Sequence, residues 1–402
     1  MTETATDRFT DGDGSAPEGR LVAIYRTQIL PLSETFVRDQ ALALRRWHPV
    51  LVGERQVNAL PLEGLSVRTA FRGQATIAQR ISGLVSRRLG SAPPRMTDVV
   101  RQVAPKLIHA HFGFDGVEAW PIAQRLGIPL IVTLHGSDIT TRMEWFAQGR
   151  GGRRWQSYPA RLARMARDRT VTFIAISENI RRAAIAAGLP DDRIAVLPIG
   201  IDPSHFAPGA NPVAKRRPLI LFLGRLVEKK GCIYLLEAFE RVRAQIPEAE
   251  LVVGGDGVER ARLAGRAASI GGVRFVGAFK RDVATTLLGE ARVFCLPSVT
   301  AESGDAEGLP LVLLEAQASG VPVVTSARGG ATEGICDGIT GFAFAERDVA
   351  VLAEQLVALL SDDVLAERFS SAGPGFVAQS HNLHRQTAQL EALYDRIASI
   401  PA

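Results

Sequence analysis

Residues 219–231 have the sequence LILFLGRLVEKKG, in which five consecutive apolar residues run into a glycine and a cluster of charges. Residues 21–34 begin in a similar way, with the sequence LVAIYRTQILPLSE. A short apolar run that ends in a polar loop is typical of a strand buried on both faces of a parallel sheet. Each half of the chain therefore begins with the same kind of element.

Short apolar runs alternate with longer amphipathic segments along all 402 residues, which predicts βαβ units and parallel sheets. A break with four prolines and no periodicity, residues 202–218, separates two halves. We therefore predict an α/β protein with two Rossmann-like domains whose parallel sheets face each other across a cleft. The predicted strands are Leu21–Tyr25, Val50–Gly53, Leu107–Ala110, Leu130–Leu134, Thr172–Ile176, Ile194–Pro198, Leu219–Leu223, Leu251–Val253, Val273–Val276, Val293–Leu296, Val321–Val324 and Gly341–Phe344.

The length suits two domains, and composition marks their limits. Residues 1–18 are polar and acidic without an apolar segment, so we predict a disordered tail rather than a signal peptide, and a cytoplasmic protein. The predicted units are a domain over residues 19–201, a linker over 202–218, a second domain over 219–380, and a C-terminal helix over 381–402 that packs back on the first domain.

Composition also excludes several classes of protein. No apolar stretch approaches the roughly 18 residues that a membrane-spanning helix needs. Cys232, Cys295 and Cys336 are far apart, which favours small buried side chains over a disulfide framework or a zinc site. Aromatic residues make up 6% of the chain without a basic platform around them, which argues against nucleic-acid binding. The net charge of +5 favours anionic substrates or an anionic membrane surface.

Residues 306–320, AEGLPLVLLEAQASG, predict a helix with Pro310 in its first turn and Gly320 just past its end. Glu307 then precedes a helix N-terminus, which is a natural seat for a phosphate group, although a carboxylate there can also be a simple cap. Glu315 lies among apolar neighbours, where an unpaired charge is costly, so it needs a polar partner or ligand unless it lies on a solvated face.

Two cations follow the strand that opens the second half. Arg225 comes almost directly after it, and Lys230 comes just before a predicted helix at Gly231. Together they can hold a diphosphate, the arginine through its bidentate fork and the lysine as a point charge. The alternative is a surface ion pair with Glu228.

Histidines follow two strands of the first half. His135 follows Leu130–Leu134, and His111 follows Leu107–Ala110. A histidine after a strand is often structural, but two that open on one crevice favour a functional role for one of them. His109 lies inside its strand, so we expect it to pack in the core.

These features together resemble glycosyltransferase family 4, a group of retaining enzymes with the GT-B fold. The resemblance rests on Arg225 with Lys230, on the seven residues between Glu307 and Glu315, and on the glycine-rich stretch 320–341. It extends through LPLSETFVRDQ, HAHFG, TLHGSDIT, FIAISENIRR, LPIGIDPSHF and LEALY. The SETF loop with EGLPLVLLEA looks most like the branch acting in bacterial exopolysaccharide assembly, as in colanic-acid and amylovoran synthesis.

The resemblance implies roles for individual residues. Arg225 and Lys230 would bind the donor diphosphate, and Glu315 the ribose hydroxyls. Glu307 would hold the sugar and the phosphates with the backbone amides of Gly308 and Leu309. The remaining implied roles are donor-sugar contact by His135, with Glu307 the second catalytic residue, and closure by the loop 28–33 with Ser33 and Glu34.

Two departures from the family pattern stand out. The chain has either Gly308-Leu309 or Leu309-Pro310, depending on the alignment, where the family commonly has Phe-Gly, and a proline has no N–H to offer a phosphate. Thr332–Glu333 replaces the usual Pro-Glu in the later glycine-rich loop.

The resulting functional prediction is a retaining, metal-independent glycosyltransferase for exopolysaccharide or another cell-surface glycan. Its donor would be a UDP- or GDP-linked sugar, which is a co-substrate, so no cofactor is expected. The acceptor would be a saccharide or a polyprenyl-diphosphate-linked saccharide. No D-x-D metal motif occurs at a predicted strand end, since Asp11 and Asp13 lie in the tail.

Three matters stay open. A nucleotide-sugar epimerase or hydrolase could use the same architecture, and so could a catalytically silent scaffold protein. Residues 153–169, RRWQSYPARLARMARDR, combine six arginines with aromatic and aliphatic side chains. That combination suits either a helix lying on an anionic membrane or a solvated arginine-rich face.

Overall fold

Two parallel sheets, one in each half of the chain, carry the fold. The computed structural model describes residues 20–31, 34–57, 60–71, 76, 86, 90–209 and 211–399. The predicted tail over residues 1–18 and the predicted loop residue Ser33 lie outside the described residues.

Fifteen strands are present in the described part of the chain. They are β1 (Leu21–Tyr25), β2 (Gln28–Ile29), β3 (His48–Gly53), β4 (Arg55–Gln56), β5 (Ser66–Thr69), β6 (Leu107–His111), β7 (Leu130–Leu134), β8 (Val171–Ala175), β9 (Ile194–Val196), β10 (Leu219–Leu223), β11 (Glu250–Gly254), β12 (Val273–Gly277), β13 (Val293–Leu296), β14 (Val323–Ser326) and β15 (Gly341–Phe344). All twelve predicted strands occur, with ends that differ by at most two residues. The sequence analysis missed the short strands β2, β4 and β5.

The strand order places a crevice at the same point of each sheet. The first sheet has the order β5-β3-β1-β6-β7-β8-β9, and the second has β12-β11-β10-β13-β14-β15. The order reverses between β1 and β6, and again between β10 and β13. At such a switch point the connections leave to opposite faces, which opens a crevice beyond the carboxyl ends of the strands. The loops that start at Arg26 and Gly224 lie at these two points.

Helices cover the sheets between the strands. Within the described residues they are α1 (Thr35–Leu42), α2 (Pro94–Val103), α3 (Gly113–Leu126), α4 (Met143–Ala147), α5 (Tyr158–Met165), α6 (Glu178–Ala186), α7 (Cys232–Gln245), α8 (Arg260–Ala267), α9 (Arg281–Glu290), α10 (Leu311–Ala318), α11 (Val349–Ser361), α12 (Asp363–Ser380) and α13 (Leu383–Ala398). Side-chain caps begin several of them, such as Ser177, whose Oγ accepts from the N–H of Ile180 at 3.2 Å.

The core of the second half shows why the strands are apolar throughout. Every residue of β10 is buried, because helices cover both faces of the sheet. Helix α7 packs on this sheet with a stripe of fully buried side chains that includes Leu235, Phe239 and Val242. Each such side chain stabilises the fold by roughly 1.5–3 kcal/mol. The loops at the strand ends are therefore held by a rigid base.

The three cysteines are free thiols. Cys232 and Cys295 are buried, as predicted, whereas Cys336 is only partly buried. Burial raises the pKa of Cys232 to about 12, so this thiol is an inert apolar group.

The C-terminal helix lies against the first sheet, although it follows the second in sequence. The chain crosses between the halves at Ile201 and Asn382, which form an isolated parallel bridge. Beyond this crossing, α13 places Leu390, Tyr394 and Ile397 in a core cluster shared with residues of β1, β3, β6 and β7. This packing couples the end of the chain to the first half.

The arginine-rich segment 153–169 does not have the apolar surface expected of an interfacial helix. Its apolar side chains Tyr158, Leu162 and Met165 are all buried in the core of the first half. Trp155 is partly buried against the same cluster. The predicted amphipathic helix exists as α5, but its apolar face stabilises its own domain. No described helix is both long and apolar enough to span a membrane.

Candidate active site

A cavity of about 710 Å³ lies between the carboxyl ends of the two sheets and is lined by both halves of the chain. Most of the residues that the sequence analysis singles out line it. They are Glu34, His135, Arg225, Lys230, Glu307, Leu309 and Glu315. Residues separated by up to 281 positions in sequence therefore meet at one cleft.

Two cations of the second half differ in how they are held. Arg225 is exposed at the start of the loop that follows β10 and forms no ion pair with any described residue. Lys230 is largely buried, and its Nζ lies 2.7 Å from Oε1 of Glu307. The alternative predicted pairing with Glu228 is therefore wrong. One cation is fixed by the protein, and the other is available to a ligand.

Glu307 is a buried carboxylate that stays ionised. Besides Lys230, the Oγ of Ser298 donates to it at 3.2 Å. Burial raises the pKa of Glu307, but the charges of Lys230 and Lys229 outweigh this effect and bring the pKa to about 2. Burial lowers the pKa of Lys230, and Glu307 opposes that shift. The pair is consequently a carboxylate and an ammonium at neutral pH.

The loop 307–310 leads into α10 and is buried, and of its two predicted phosphate donors Leu309 lines the cavity whereas Gly308 does not. Pro310 caps α10, and Gly320 follows its end with a φ of 66°. The N–H groups of Gly308 and Leu309 donate to no described residue. A Cβ on Gly308 would lie 2.0 Å from the backbone oxygen of His135, so only glycine fits here. The loop thus carries free N–H groups where the two halves touch.

Glu315 lies on α10, half-buried, and lines the cavity. Its carboxyl group forms no hydrogen bond or ion pair within the described part of the chain. Burial raises its pKa to about 7, against a lowering by Arg281 and a further increase from Asp39. Arg281 and Asp39 themselves form an ion pair between the two halves. An unpartnered carboxyl group of this kind is ready to accept hydrogen bonds from a ligand.

His135 comes directly after β7 and is held on several sides. Its N–H and that of Gly136 donate to Oδ1 of Asp138, at 3.1 and 2.8 Å. Its ring packs between Phe36 and Phe112, with centroid distances of 4.9 and 4.4 Å. The imidazole is therefore fixed at the wall of the cavity.

His111 and His109 lie behind that wall. His111 is the last residue of β6 rather than the first residue after it, and it is buried and does not line the cavity. His109 is fully buried, which confirms the expectation that it packs in the core.

The sequence analysis missed an ionic cluster on the same wall as His135, in the first half of the chain. Arg26 is buried, and its Nε donates to Oε2 of Glu34 at 3.0 Å while its Nη1 pairs with Asp115. The backbone N–H of Thr27 also donates to Asp115, at 3.1 Å. The signal was available, because Arg26 follows β1 just as closely as Arg225 follows β10. Glu34 therefore faces the cavity while it is paired with Arg26.

Comparison with known proteins connects this geometry to a family. Residues 33–205 match the model described as Glycosyltransferase Family 4, and residues 205–376 match Glycosyl transferases group 1. The amylovoran biosynthesis glycosyltransferase AmsK of Erwinia amylovora is 30% identical over 302 residues, which are 73% of this chain and 71% of that protein. The chain belongs to glycosyltransferase family 4.

Other relatives of this family 4 chain differ in length and role. Glycogen synthase of Mycobacterium tuberculosis is 31% identical over 280 residues, which are 68% of this chain. The match spans only 64% of the length of that relative. The predicted family, and its similarity to the amylovoran branch, are confirmed.

A solved structure of another protein has the same fold as this family 4 chain. The structure of Anabaena Alr3699/HepE in complex with UDP-glucose matches with a TM-score of 0.75 at 19% identity. The match covers 94% of this chain and 100% of that chain. The predicted GT-B fold, with two Rossmann-like domains facing across a cleft, is confirmed.

Glu333, which follows the departure from the family pattern at Thr332, joins the two halves of the chain. Its carboxylate accepts from the N–H groups of Glu178 and Asn179, at 2.8 and 2.9 Å, and so caps the N-terminus of α6 in the other half. It does not line the cavity. Among the described residues, no group of three or more His, Cys, Asp or Glu side chains is arranged to hold a metal ion.

Proposed function

We propose that this protein is a retaining glycosyltransferase that moves a sugar from a UDP- or GDP-linked donor to a saccharide acceptor, without a metal ion or cofactor. The observation that carries the proposal is the convergence of Arg225, Lys230 and Glu315 with Glu307 and His135 on one cavity. A free guanidinium, a fixed ammonium and an unpartnered carboxyl group together match a diphosphate and a ribose.

The cations would act on the leaving group. Cleavage of the sugar–diphosphate bond builds negative charge on the departing phosphate, and donors fixed in advance stabilise that charge most in the transition state. Arg225 and Lys230 line the cavity as such donors. We propose that the N–H groups of Gly308 and Leu309, which have no described partner, join them. They would supply the positive charge that a divalent ion supplies in other transferases. This is the basis for proposing metal-independent transfer.

We propose retention because Glu307, the carboxylate assigned to the donor sugar, is a weak base. With a pKa of about 2, Glu307 has little tendency to take a proton at neutral pH. We propose that the bond between the anomeric carbon and the phosphate oxygen breaks first. The acceptor oxygen then bonds to that carbon from the same face, and its proton passes to the leaving phosphate. Atoms and charge balance without a dedicated carboxylate base.

Product analysis tests this mechanism. With UDP-glucose as the first donor probe, we expect the product to keep the donor's anomeric configuration by NMR and EDTA to leave the rate unchanged. An inverted product or loss of activity with EDTA would contradict the proposal. Nucleotide release that does not depend on an acceptor would favour the hydrolase alternative, and donor binding without turnover would favour the scaffold alternative.

The nucleobase of the donor would lie against the second half of the chain. Phe279 and Lys280 line the cavity near the second sheet and are candidates to flank the base. HepE was crystallised with UDP-glucose, which makes UDP the first choice. Thermal-shift measurements with UDP- and GDP-sugars separate the two, because the tighter ligand raises the melting temperature more.

The acceptor would lie against the first half of the chain. Phe114, Trp155 and Arg154 line that wall, and the Arg154 guanidinium lies 4.7 Å from the centre of the Trp155 ring. Aromatic faces suit a sugar ring, and an arginine suits an anionic group. We propose a saccharide or a polyprenyl-diphosphate-linked saccharide, in line with the name of the amylovoran relative.

A lipid-linked acceptor would be used at the inner face of the cytoplasmic membrane. With Tyr158, Leu162 and Met165 buried, the charged surface of the segment 153–169 consists of arginines such as Arg164, Arg167 and Arg169, which are exposed. We therefore propose a cytoplasmic protein with weak, salt-sensitive attraction to anionic lipid, of about 1 kcal/mol per cation near the surface. Flotation with anionic vesicles at low and physiological salt tests it, and absence of binding at both would exclude it.

Nucleotide binding should depend on pH through Glu315. Its carboxyl group has a pKa of about 7 in the free protein, so a substantial fraction is protonated at or below that pH. Ribose hydroxyls donate to the ionised form, so binding favours the carboxylate. We expect binding to release a proton and to weaken as the pH falls below about 7. Calorimetry in buffers of different ionisation enthalpy measures both effects.

Glu315→Gln provides the control for this expectation. The amide keeps the shape and an acceptor oxygen but cannot titrate, so binding should be weaker at neutral pH and nearly independent of pH. If the variant kept the pH dependence of the natural protein, Glu315 would not be the group responsible.

A further inference from the structure

Three imidazole rings form a stack that ends at the cavity. The rings of His109 and His111 are 4.4 Å apart and nearly parallel, and those of His111 and His135 are 5.3 Å apart with a 25° angle. Only His135 lines the cavity. The other two do not line the cavity, so any role they have in the site must act through their neighbours.

Both ring nitrogens of His109 have hydrogen-bond partners in the core behind the site. Its Nδ1 lies 2.5 Å from the hydroxyl of Tyr394 on α13, and its Nε2 lies 2.7 Å from Oγ1 of Thr133. Burial lowers its pKa to about 3, so the ring is neutral. Both nitrogens are satisfied within the core, which makes His109 the structural base of the stack.

His111 contacts His135, the ring that lines the cavity. Its Nδ1 lies 3.1 Å from Nε2 of His135, within hydrogen-bond distance. The end of the strand is fixed as well, since Nη1 of Arg26 donates to the His111 carbonyl at 2.7 Å. Burial lowers the pKa of both His111 and His135 well below the ordinary value, so the bond joins two neutral rings.

A hydrogen bond between two neutral imidazoles needs one N–H and one lone pair. The nitrogen that carries the proton in this bond therefore decides the state of the other nitrogen of the same ring. In His135 that other nitrogen is Nδ1, which has no hydrogen-bond partner among the described residues. The tautomers of the two rings are thus coupled, and the tautomer of His111 decides whether the nitrogen left for a ligand is a donor or an acceptor.

We propose that His111 is a positioning residue that holds His135 in a single tautomer and orientation, so that Nδ1 of His135 meets the donor sugar in one protonation state. The proposal rests on the proposed function only for the identity of the ligand. The ring pair itself is a property of the free protein. A misoriented ring would weaken the contact in the transition state more than donor binding, because orientation at the reacting centre affects kcat most.

The test uses His111→Leu and His111→Asn in the full-length protein. Leucine removes the hydrogen bond, whereas the asparagine amide can replace Nδ1 as donor or acceptor. With UDP-glucose as donor, we expect His111→Leu to lower kcat by about 10–100-fold, the size of effect seen when the partner of a functional histidine is lost, with little change in donor KM. His111→Asn should recover most of that loss.

A spectroscopic reading keeps the test independent of turnover. In protein labelled with ¹⁵N-histidine, we expect the His135 ring to show one tautomer in the natural protein and in His111→Asn, and an average of two in His111→Leu. Tyr394→Phe is the matched control, since it breaks a bond of the same stack without touching His135. It should lower the melting temperature but leave the His135 signals and kcat unchanged.

The outcomes separate the two proposals. If the natural protein did not turn over UDP-glucose, the ¹⁵N signals would still decide the role of His111. An unchanged His135 tautomer in folded His111→Leu would overturn the inference, and so would an equal loss of kcat in His111→Asn and His111→Leu.

Discussion

Lys230→Ala is expected to lower kcat/KM by about 10²–10³-fold, the scale of one lost charge contact in a transition state. The Lys230 ammonium is fixed by Glu307 at 2.7 Å, so its charge is already in place when the leaving phosphate becomes negative. Steady-state kinetics with UDP-glucose measure the effect. Arg225→Ala should lower kcat/KM on the same scale, because that guanidinium has no other partner among the described residues.

The two variants should differ in stability. Lys230→Ala leaves the buried carboxylate of Glu307 without its partner, which costs about 3–5 kcal/mol of unfolding free energy. Arg225→Ala removes an exposed side chain and should change that free energy by less than about 1 kcal/mol. Denaturant unfolding of both proteins tests this difference.

A double variant separates lost activity from lost folding. Lys230→Met with Glu307→Gln removes both charges. It should recover most of the stability that is lost in Lys230→Ala, but not the lost activity. Unchanged kinetics in folded Arg225→Ala, or in Lys230→Ala that is still folded, would remove the diphosphate role from that residue.

The sequence predicts the fold well because its signals are local. The fully apolar strand 219–223 and the stripe of α7 are buried in the structure as their patterns require. Gly320 has the positive φ expected of the residue after a helix end. By contrast, β5 has the sequence SVRT and only partly buried or exposed side chains, so it carries no apolar run to detect.

Sequence patterns do not predict which distant part of the chain an apolar face packs against. The segment 153–169 has the periodicity of an amphipathic helix, but periodicity does not say what its apolar face meets. Tyr158, Leu162 and Met165 pack into the first domain, which no local pattern distinguishes from packing on a membrane. The same sequence therefore fits two different functions until the tertiary contacts are known.

In the candidate site, too, pairs of residues that are close in sequence could be predicted and pairs that are distant in sequence could not. Arg225 and Lys230 stand five positions apart after one strand, and their common role is visible in a single segment. Arg26 and Asp115 are 89 positions apart, and they meet only because β1 and β6 are neighbours in the sheet. Predicting that pair needs the strand order as well as the residues.

Removing the charge of Arg26 from that buried pair is expected to have a large effect on the free energy of unfolding. Arg26 stands between the carboxylates of Glu34 and Asp115, and all three side chains are at most a tenth exposed. Arg26→Met is expected to lower the unfolding free energy by about 3–5 kcal/mol at neutral pH, because two buried carboxylates lose their counter-charge. Denaturant unfolding at several pH values measures it.

The pH dependence has a definite sign. Burial raises the pKa of Glu34 and of Asp115 even with Arg26 present, and without it the pKa of each must rise further. The folded variant then binds protons more tightly than the unfolded chain, so its stability falls as the pH rises above the ordinary carboxyl range. The deficit relative to the natural protein should therefore shrink in mild acid and grow toward neutral pH.

Arg217 supplies the matched control, since it also joins two carboxylates, those of Glu250 and Glu290, at 2.7 and 3.1 Å. All three of those side chains are nearly half exposed, so Arg217→Met should cost less than about 1 kcal/mol and show little pH dependence. Adding Glu34→Gln and Asp115→Asn to Arg26→Met should restore stability by removing the buried charges. Equal losses in Arg26→Met and Arg217→Met, or a deficit that does not change with pH, would show that water still reaches the wall beside His135 and screens it.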